Sequence, residues 1–141
     1  MQVENILQSK GRAVTTVTAG STIAEAVGLL NGKRIGAVVV VDGKRVVGIL
    51  SERDVVRHLG QDWGALASRP VSDVMTSNVV SVSRFATVAD VMERMTEKRI
   101  RHMPIVENGE LVGIVSIGDV VKRKIEETEQ EATALKEYIA S

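Results

Sequence analysis

The 141-residue chain is long enough for one ordinary domain or two very small ones, and its 44% apolar residues suffice to build a core. Eighteen basic residues balance eighteen acidic ones, so no net field attracts nucleic acid. The absence of cysteine excludes disulfides and thiolate chemistry, and no apolar run approaches the roughly 20 residues of a membrane span. Residues 1–12 lack the order of a signal peptide. We therefore expect a cytoplasmic protein without nucleic-acid or membrane partners.

The two halves of the chain repeat each other. A shift of 65 residues aligns residues 14–56 with residues 79–121 without a gap, and 15 of these 43 positions are identical. Each copy has an apolar helix face with the spacing i, i+3, i+4, i+7, formed by Ile23, Ala26, Val27 and Leu30 and by Val88, Val91, Met92 and Met95. Because chance does not maintain an ungapped register with matched periodicity over this length, we infer a tandem duplication.

Each copy begins with a short strand and a helix. Extended segments are predicted at residues 14–17 and 79–82, where valine recurs. Thr22 and Thr87 follow, each with an acidic residue three positions later. This spacing predicts a capping box at the start of a helix in each copy.

A β-hairpin follows in each copy. The apolar runs Gly36–Val41 and Met103–Val106 are typical of strands that are buried on both faces. The dipeptides Asp42-Gly43 and Asn108-Gly109 are strong signals for a hairpin turn. Since a unit of about 60 residues is only marginally stable alone, the two copies are expected to pack against each other.

The phrases GILSERD (48–54) and GIVSIGD (113–119) end the two hairpins with the same pattern, Gly-apolar-apolar-Ser-x-x-Asp. One interpretation is structural: the serine caps a helix and the aspartate completes a capping box. The other is functional: a helix N-terminus binds phosphate, and a fixed carboxylate accepts two hydrogen bonds from a ribose diol. The glycine in each strand is typical of close approach by a ligand or another backbone. Both interpretations stay open, and they are not exclusive.

The duplicated unit, its Gly-apolar-x-Ser-x-x-Asp ending and the segment RIRHMPIVENGELVGIVSIGD (99–119) resemble the CBS domain, and two in tandem resemble a Bateman module. The resemblance covers residues 5–125. It implies an α+β fold of two β-α-β-β-α repeats packed sheet to sheet with pseudo-two-fold symmetry. It also implies a non-catalytic regulatory module, a homodimer, that binds AMP, ADP, ATP, NAD(H) or S-adenosylmethionine between its repeats. Such a module senses energy or redox state and acts on a separate regulated protein, with AMP as the leading ligand.

The resemblance implies that each cleft combines the Ser-x-x-Asp turn of one repeat with strand residues of the other, and that Asp54 and Asp119 hold ribose hydroxyls. In the first cleft, phosphate would contact Ser51, Arg53, Arg101 and His102, and adenine would contact Val80, Ile100 and Pro104. In the second cleft, phosphate would contact Ser116 and Lys10, and adenine would contact Thr15, Thr16, Ile35, Gly36, Ala37 and Ile117.

The first cleft is expected to bind phosphate more tightly than the second. Arg53 and Arg101 align with Gly118 and Gly36, which carry no charge. A charge-assisted contact contributes about 1.5–3 kcal/mol. Lys10, just before the first strand, is a candidate cation for the second cleft.

Several alternatives stay open. The basic residues Lys98 and Arg99 also fit a solvated helix end. His58 and His102 have no further ligands at metal spacing, so we expect neither a metal nor a catalytic cofactor. Rival functions are a structural interaction module without a ligand, an S-adenosylmethionine binder and a weak nucleotide hydrolase.

The chain is divided into a first repeat with its N-terminal segment (1–62), a connector with the second repeat (63–125) and a charged helical tail (126–141). Ile125, Ala132, Leu135 and Ile139 form a narrow apolar stripe along this last helix. The stripe predicts that the tail packs on the module or on a second subunit, with a solvated helix as the alternative.

Overall fold

The computed structural model describes residues 1–60 and 62–140 of the chain. The helices are α1 (Val3–Lys10), α2 (Ile23–Lys33), α3 (Glu52–Leu59), α4 (Trp63–Ala67), α5 (Val88–Lys98) and α6 (Ile117–Ala140), with a 3₁₀ turn at Val71–Asp73. The strands are β1 (Thr16–Val17), β2 (Ala37–Asp42), β3 (Arg45–Ser51), β4 (His102–Glu107) and β5 (Glu110–Ser116). The predicted mixed architecture of two related repeats is confirmed. The tail prediction at Ser141 lies outside the described residues.

The strands form one five-stranded sheet in the order β1-β2-β3-β5-β4. Each repeat contributes an antiparallel hairpin, and the two hairpins meet at their tips through a single pair of residues. There, Val46 N–H donates to the Gly109 carbonyl at 3.4 Å, and Leu111 N–H donates to the Lys44 carbonyl at 3.1 Å. Because these bonds exchange under the 65-residue shift, the pseudo-two-fold axis passes between the tips. The sheets of the two repeats are thus joined at this point.

The two long helices inside the repeats begin at the predicted threonines. Thr22 Oγ1 accepts from Glu25 N–H at 3.2 Å, and Thr87 Oγ1 accepts from Asp90 N–H at 3.0 Å. Neither acid returns a recorded hydrogen bond to its threonine within the described chain. These are therefore single N-caps, not the reciprocal capping boxes predicted from the spacing.

The first strand of the second repeat is shorter than predicted. In the first repeat, Val39 N–H donates to the Thr15 carbonyl at 3.2 Å and so supports β1. Pro104 occupies the position equivalent to Val39, and proline has no N–H to donate. The strand predicted at residues 79–82 is therefore reduced to an isolated bridge at Val82.

The first hairpin turns one residue later than predicted. β2 runs to Asp42, so Gly43 and Lys44 form the two-residue loop. Gly43 has a φ of 63°, a conformation that glycine adopts without a steric cost. In the second hairpin Asn108 and Gly109 form the loop as predicted, with φ of 54° and 79°, as a type I′ turn requires.

The core of each repeat is completed by residues that precede the other repeat. α1, which precedes the first repeat, buries side chains in the core of the second: Val3, Ile6 and Leu7. The connector, which precedes the second repeat, buries side chains in the core of the first: Leu66, Val71 and Val74. The two cores therefore cross the boundary expected between residues 62 and 63.

The two crossing segments are anchored alike. Val3 N–H donates to the Ala86 carbonyl at 2.8 Å, and Val71 N–H donates to the Ser21 carbonyl at 2.7 Å. The acceptors are equivalent under the 65-residue shift, but the donors are 68 residues apart. Because the offset differs, the sequence alignment does not pair the segments, and part of the connector has a counterpart after all.

Gly48 and Gly113 make room for these crossing segments. A Cβ atom at Gly113 would lie 2.7 Å from Cδ2 of Leu7, and one at Gly48 would overlap the Met75 sulfur. Such overlaps are not tolerated in a close-packed interior. The close approach predicted at these glycines is therefore made by side chains of the protein itself, not by a ligand or another backbone.

The last helix is one continuous element. α6 runs through the boundary expected at residue 126, and its buried Val120 belongs to the core of the second repeat. All residues from 128 to 140 are exposed. None of the described helices is long and apolar enough to cross a membrane.

Candidate functional site

The turn from β3 into α3 is a complete capping box. Ser51 N–H donates to Asp54 Oδ2 at 2.9 Å, and Asp54 N–H donates to Ser51 Oγ at 3.3 Å. The Ser51 hydroxyl lies 3.1 Å from the same Oδ2, whereas Oδ1 has one long contact, 3.4 Å, with the Thr76 hydroxyl. A carboxylate oxygen can accept two hydrogen bonds. The structural role of Asp54 thus leaves Oδ1 able to accept from a ligand.

A cavity of about 590 Å³ opens beside this turn and is lined by both repeats. We call it the first cleft. Most residues predicted for it do line it, namely Ser51, Arg53, Asp54, Val80, Ile100, Arg101 and His102. Pro104 does not, because it is buried in β4. Gly36, which the resemblance assigns to the second cleft, lines the first, and its missing Cβ leaves room for the His102 ring, whose Cε1 would otherwise lie 2.7 Å away.

The first cleft has an excess of positive charge. Five cationic side chains line it, Arg53, Arg57, Lys98, Arg99 and Arg101, against the two carboxylates of Glu52 and Asp54, an excess of three. None of the five takes part in an ion pair recorded within the described chain. Unpaired cations around a cavity attract an anionic ligand.

Some lining residues are not among those predicted from the sequence. Arg57 lies one helical turn after Arg53, and the i, i+4 spacing that places both on one face was visible in the sequence. Thr76 and Asn78 belong to the connector, which the repeat alignment does not cover. The helix end at Lys98 is not only solvated but borders the cleft.

His102 is an uncharged group between the two repeats. Burial lowers the pKa of its imidazole, Glu52 raises it, Lys10 lowers it, Asp119 raises it and Arg101 lowers it, with a net decrease. The ring is therefore neutral at pH 7, with one nitrogen that donates and one that accepts. Toward a phosphate it can offer a hydrogen bond but no charge.

The second Ser-x-x-Asp turn is already in contact with a cation. Ser116 N–H donates to Asp119 Oδ2 at 2.9 Å, and Asp119 N–H donates to Ser116 Oγ at 3.2 Å, as at the first turn. In addition, Lys10 Nζ donates to Asp119 Oδ2 at 2.7 Å and to the Ile114 carbonyl at 3.1 Å. The crossing of α1 thus brings Lys10 onto the carboxylate of the second cleft.

The ion pair affects the charge state of Asp119. Burial raises the pKa of its carboxyl group, but the hydrogen bonds from Lys10 and Ser116 together lower it by more. The carboxylate therefore stays ionised and bound to the lysine at neutral pH.

The other residues expected in the second cleft lie on neighbouring backbone elements. Thr15 and Thr16 pair with β2, Ile35 N–H donates to the Leu30 carbonyl at 3.1 Å, Ala37 is buried, and Ile117 N–H donates to the Arg101 carbonyl at 2.8 Å. None of the hydrogen bonds recorded for the described residues links this group to Asp119.

The chain belongs to the CBS domain family. The model of the CBS domain matches residues 6–61 and 71–126. The mitochondrial CBS domain-containing protein CBSX3 of Arabidopsis thaliana is 32% identical over 97% of this chain and 71% of its own length. The crystal structure of a CBS-domain containing protein of Agrobacterium tumefaciens, ATU1752, is 46% identical and covers 88% of this chain and 99% of its own, with a TM-score of 0.83.

Two similar structures contain adenosyl ligands. A CBS domain protein of Pyrobaculum aerophilum, complexed with AMP, is 30% identical over 84% of this chain and 89% of its own, with a TM-score of 0.73. The CBS domain pair of protein MJ0100, in complex with 5′-methylthioadenosine and S-adenosylmethionine, is 25% identical over 90% of this chain and 98% of its own, with a TM-score of 0.79. Adenosyl compounds are thus ligands of structurally similar CBS pairs.

Proposed function

We propose that this chain is a non-catalytic regulatory module that binds one adenine nucleotide in its first cleft and so senses the energy or redox state of its compartment. AMP is the leading ligand, with ADP, ATP and NAD(H) as alternatives. The observation that carries this proposal is the single cavity that combines the free acceptor of Asp54, the N-terminus of α3 and five unpaired cations.

Each part of a nucleotide has a matching group in the first cleft. The ribose diol donates to Asp54, and the phosphate accepts from Ser51, Arg53, Arg101 and His102 at the positive end of α3. The apolar side chains of Val80 and Ile100 contact the adenine, whereas the buried Pro104 takes no part. A volume of about 590 Å³ lies within the range of small-molecule sites.

The charge of the cleft favours a phosphate over a sulfonium group. The lining carries three more positive than negative charges, and a ligand cation would add to this excess. S-Adenosylmethionine is the second candidate, because a similar CBS pair binds it. Its binding here would have to rely on the adenosine portion that it shares with AMP.

The proposal gives the second cleft a lower affinity for nucleotide. A ribose diol there has to compete with the Lys10 ammonium for Asp119, and a charge-assisted hydrogen bond is stronger than a neutral one. We therefore expect one bound nucleotide per chain at micromolar concentrations.

A ligand panel tests the proposal. Isothermal titration and thermal unfolding would be measured with AMP, ADP, ATP, NADH, S-adenosylmethionine and adenosine, the last as the control that lacks phosphate. We expect the phosphorylated compounds to raise the melting temperature and adenosine to raise it much less, since stabilisation follows occupancy. No response to any adenosyl compound would leave the structural interaction module as the better function.

A separate assay tests the absence of catalysis. ATP would be incubated with the protein for hours, and free phosphate and ADP would be measured against a buffer control. Product formation that depends on the first cleft would replace the regulatory proposal by a hydrolase.

Regulation requires that the nucleotide bind one arrangement of repeats or subunits better than another. The first cleft satisfies one condition for this, since residues of both repeats line it. The regulated protein belongs to this proposal only as a separate partner. The cytoplasmic location stays a prediction, because the Arabidopsis relative is named as mitochondrial.

A further inference from the structure

The exposed end of α6 has no support from its own module. Residues 128–140 are all exposed, although this segment is part of a 24-residue helix. An isolated helix of about 12–15 residues is marginal in water and gains most of its stability from packing. The segment therefore calls for a packing partner outside the chain.

An apolar stripe with heptad spacing runs along this helix. The positions alternate in steps of four and three residues, as a and d positions do, and comprise Val121, Ile125, Thr128, Ala132, Leu135 and Ile139. The large members are 38%, 53%, 59% and 73% exposed at Val121, Ile125, Leu135 and Ile139. Thr128 donates its hydroxyl to the Lys124 carbonyl at 2.9 Å, so its polar group is satisfied within the helix.

The charges beside the stripe select its partner. With Ile125 and Ala132 at a positions, Lys124 and Glu131 occupy g positions, and Glu129 and Lys136 occupy e positions. In a parallel dimer each g residue meets the e residue five positions later on the other helix. That rule pairs Lys124 with Glu129 and Glu131 with Lys136, and both pairs have opposite charges.

An antiparallel arrangement matches the same charges less well. It pairs g with g and e with e positions, which places the two copies of Glu131 near each other and leaves Lys124 at the end of the partner's helix. Glu129, Glu131 and Lys136 form no ion pair recorded within the described chain, and the Lys124–Glu127 contact is long at 3.8 Å. These four side chains are thus available to a second copy.

We propose that α6 forms a parallel, in-register two-stranded coiled coil with α6 of a second copy of this chain. The stripe from Val121 to Ile139 is the interface, and the alternating g and e charges fix its direction. The two modules then lie at the same end of the coil. This inference does not depend on the nucleotide proposal, since it uses no residue of either cleft.

The oligomeric state of the full chain tests the interface. In sedimentation velocity we expect the wild type to be dimeric at micromolar concentration, and Leu135→Glu to raise the dimer dissociation constant by about 100-fold or more, because two buried leucines are lost. Ala134→Glu, the adjacent substitution on the outward face, is the matched control and leaves the dimer intact. A monomeric wild type, or equal behaviour of the two variants, overturns the proposal. Circular dichroism checks that both variants remain folded.

Single cysteines test the direction, because the chain has no cysteine of its own. In a parallel coil the two copies of Thr128→Cys face each other and form an intermolecular disulfide under mild oxidation. Gln130→Cys, on the outward face, is the control and stays largely monomeric in non-reducing electrophoresis. A dimer that depends on Leu135 but does not cross-link at position 128 overturns the parallel arrangement in favour of the antiparallel one.

Charge exchange completes the test. Glu131→Lys is expected to weaken the dimer, because it faces Lys136 of the second copy, and adding Lys136→Glu is expected to restore it. A double variant that is no tighter than the single one contradicts this pairing.

Discussion

At Asp54 the carboxylate meets neutral hydroxyl groups, whereas at Asp119 it meets an ammonium group. Both aspartates accept from a serine N–H at 2.9 Å and belong to the same repeated phrase. The additional partner is the Thr76 hydroxyl at 3.4 Å in one cleft and Lys10 Nζ at 2.7 Å in the other. The difference therefore comes from the crossing segments and not from the phrase itself.

The comparison teaches that two equal motifs need not make two equal sites. α1 stays helical as far as Lys10, so its last turn reaches Asp119. The connector instead becomes extended after its 3₁₀ turn, and Thr76 pairs with Ile49. A neutral residue, Asn78, then lines the first cleft. The elements that hold the repeats together thus also decide which aspartate is free for a ligand.

Asp54→Asn is the substitution expected to break the difference between the clefts most strongly. The amide can still accept at the cap but has no charge for the ribose diol, so we expect AMP affinity to fall roughly 10- to 100-fold. Isothermal titration measures this loss. The melting temperature of the ligand-free protein is expected to change little.

Asp119→Asn is the matched control for this experiment. It makes the same change in the second cleft and is expected to leave AMP affinity within about two-fold of wild type. Equal losses for the two variants would show that both clefts bind nucleotide. A loss of affinity that accompanies a large drop in melting temperature would mean that Asp54 acts mainly as a structural cap.

Gly113→Ala tests the packing that brings α1 to the second cleft. The new Cβ would lie 2.7 Å from Cδ2 of the buried Leu7, and overpacking of a core costs about 1–3 kcal/mol. Urea unfolding measures the change in the free energy of unfolding. Gly48→Ala, which faces the flexible Met75, is expected to cost less. A Gly113→Ala protein as stable as wild type contradicts the close contact.

Lys10→Met sharpens the comparison by making the two aspartates more alike. Without the ammonium group, Asp119 is free for a ribose, so we expect a second, weaker AMP binding event in isothermal titration. The loss of stability should stay below about 1 kcal/mol, because the ion pair is partly exposed. Arg12→Met is the control, since Arg12 pairs with Glu4 away from the cleft. An unchanged stoichiometry in Lys10→Met would show that the lysine does not block the site.

The repeat itself was predictable, because its signals are local. Helix starts at Thr22 and Thr87 and the turn at Asn108-Gly109 follow from backbone chemistry within a few residues. Where an element depends on a distant partner, the pattern predicts less. The strand at residues 79–82 reads as extended, but Pro104, more than 20 residues away, cannot donate to it.

The candidate site was predictable on the repeats and not on the connector. Arg53 and Arg101 could be assigned from the alignment of the two copies, and both line the first cleft. Thr76 and Asn78 have no counterpart in that alignment, so no signal marked them. Lys10 was a candidate phosphate ligand because of its charge, but its contact with Asp119 depends on where α1 packs.

The pH dependence of stability is the smallest expected effect, and it concerns His102, which interacts with the charges of both clefts. Because burial lowers the pKa of His102 in the folded protein, the unfolded chain binds a proton at a higher pH than the folded one. The free energy of unfolding should therefore be fully retained above the ordinary histidine pKa, near 6.5, and fall as the pH decreases through it. Urea unfolding at pH 7.5, 6.5 and 5.5 measures this slope. His102→Gln should reduce it and His58→Gln should leave it, and a slope that persists in His102→Gln would assign it to other groups.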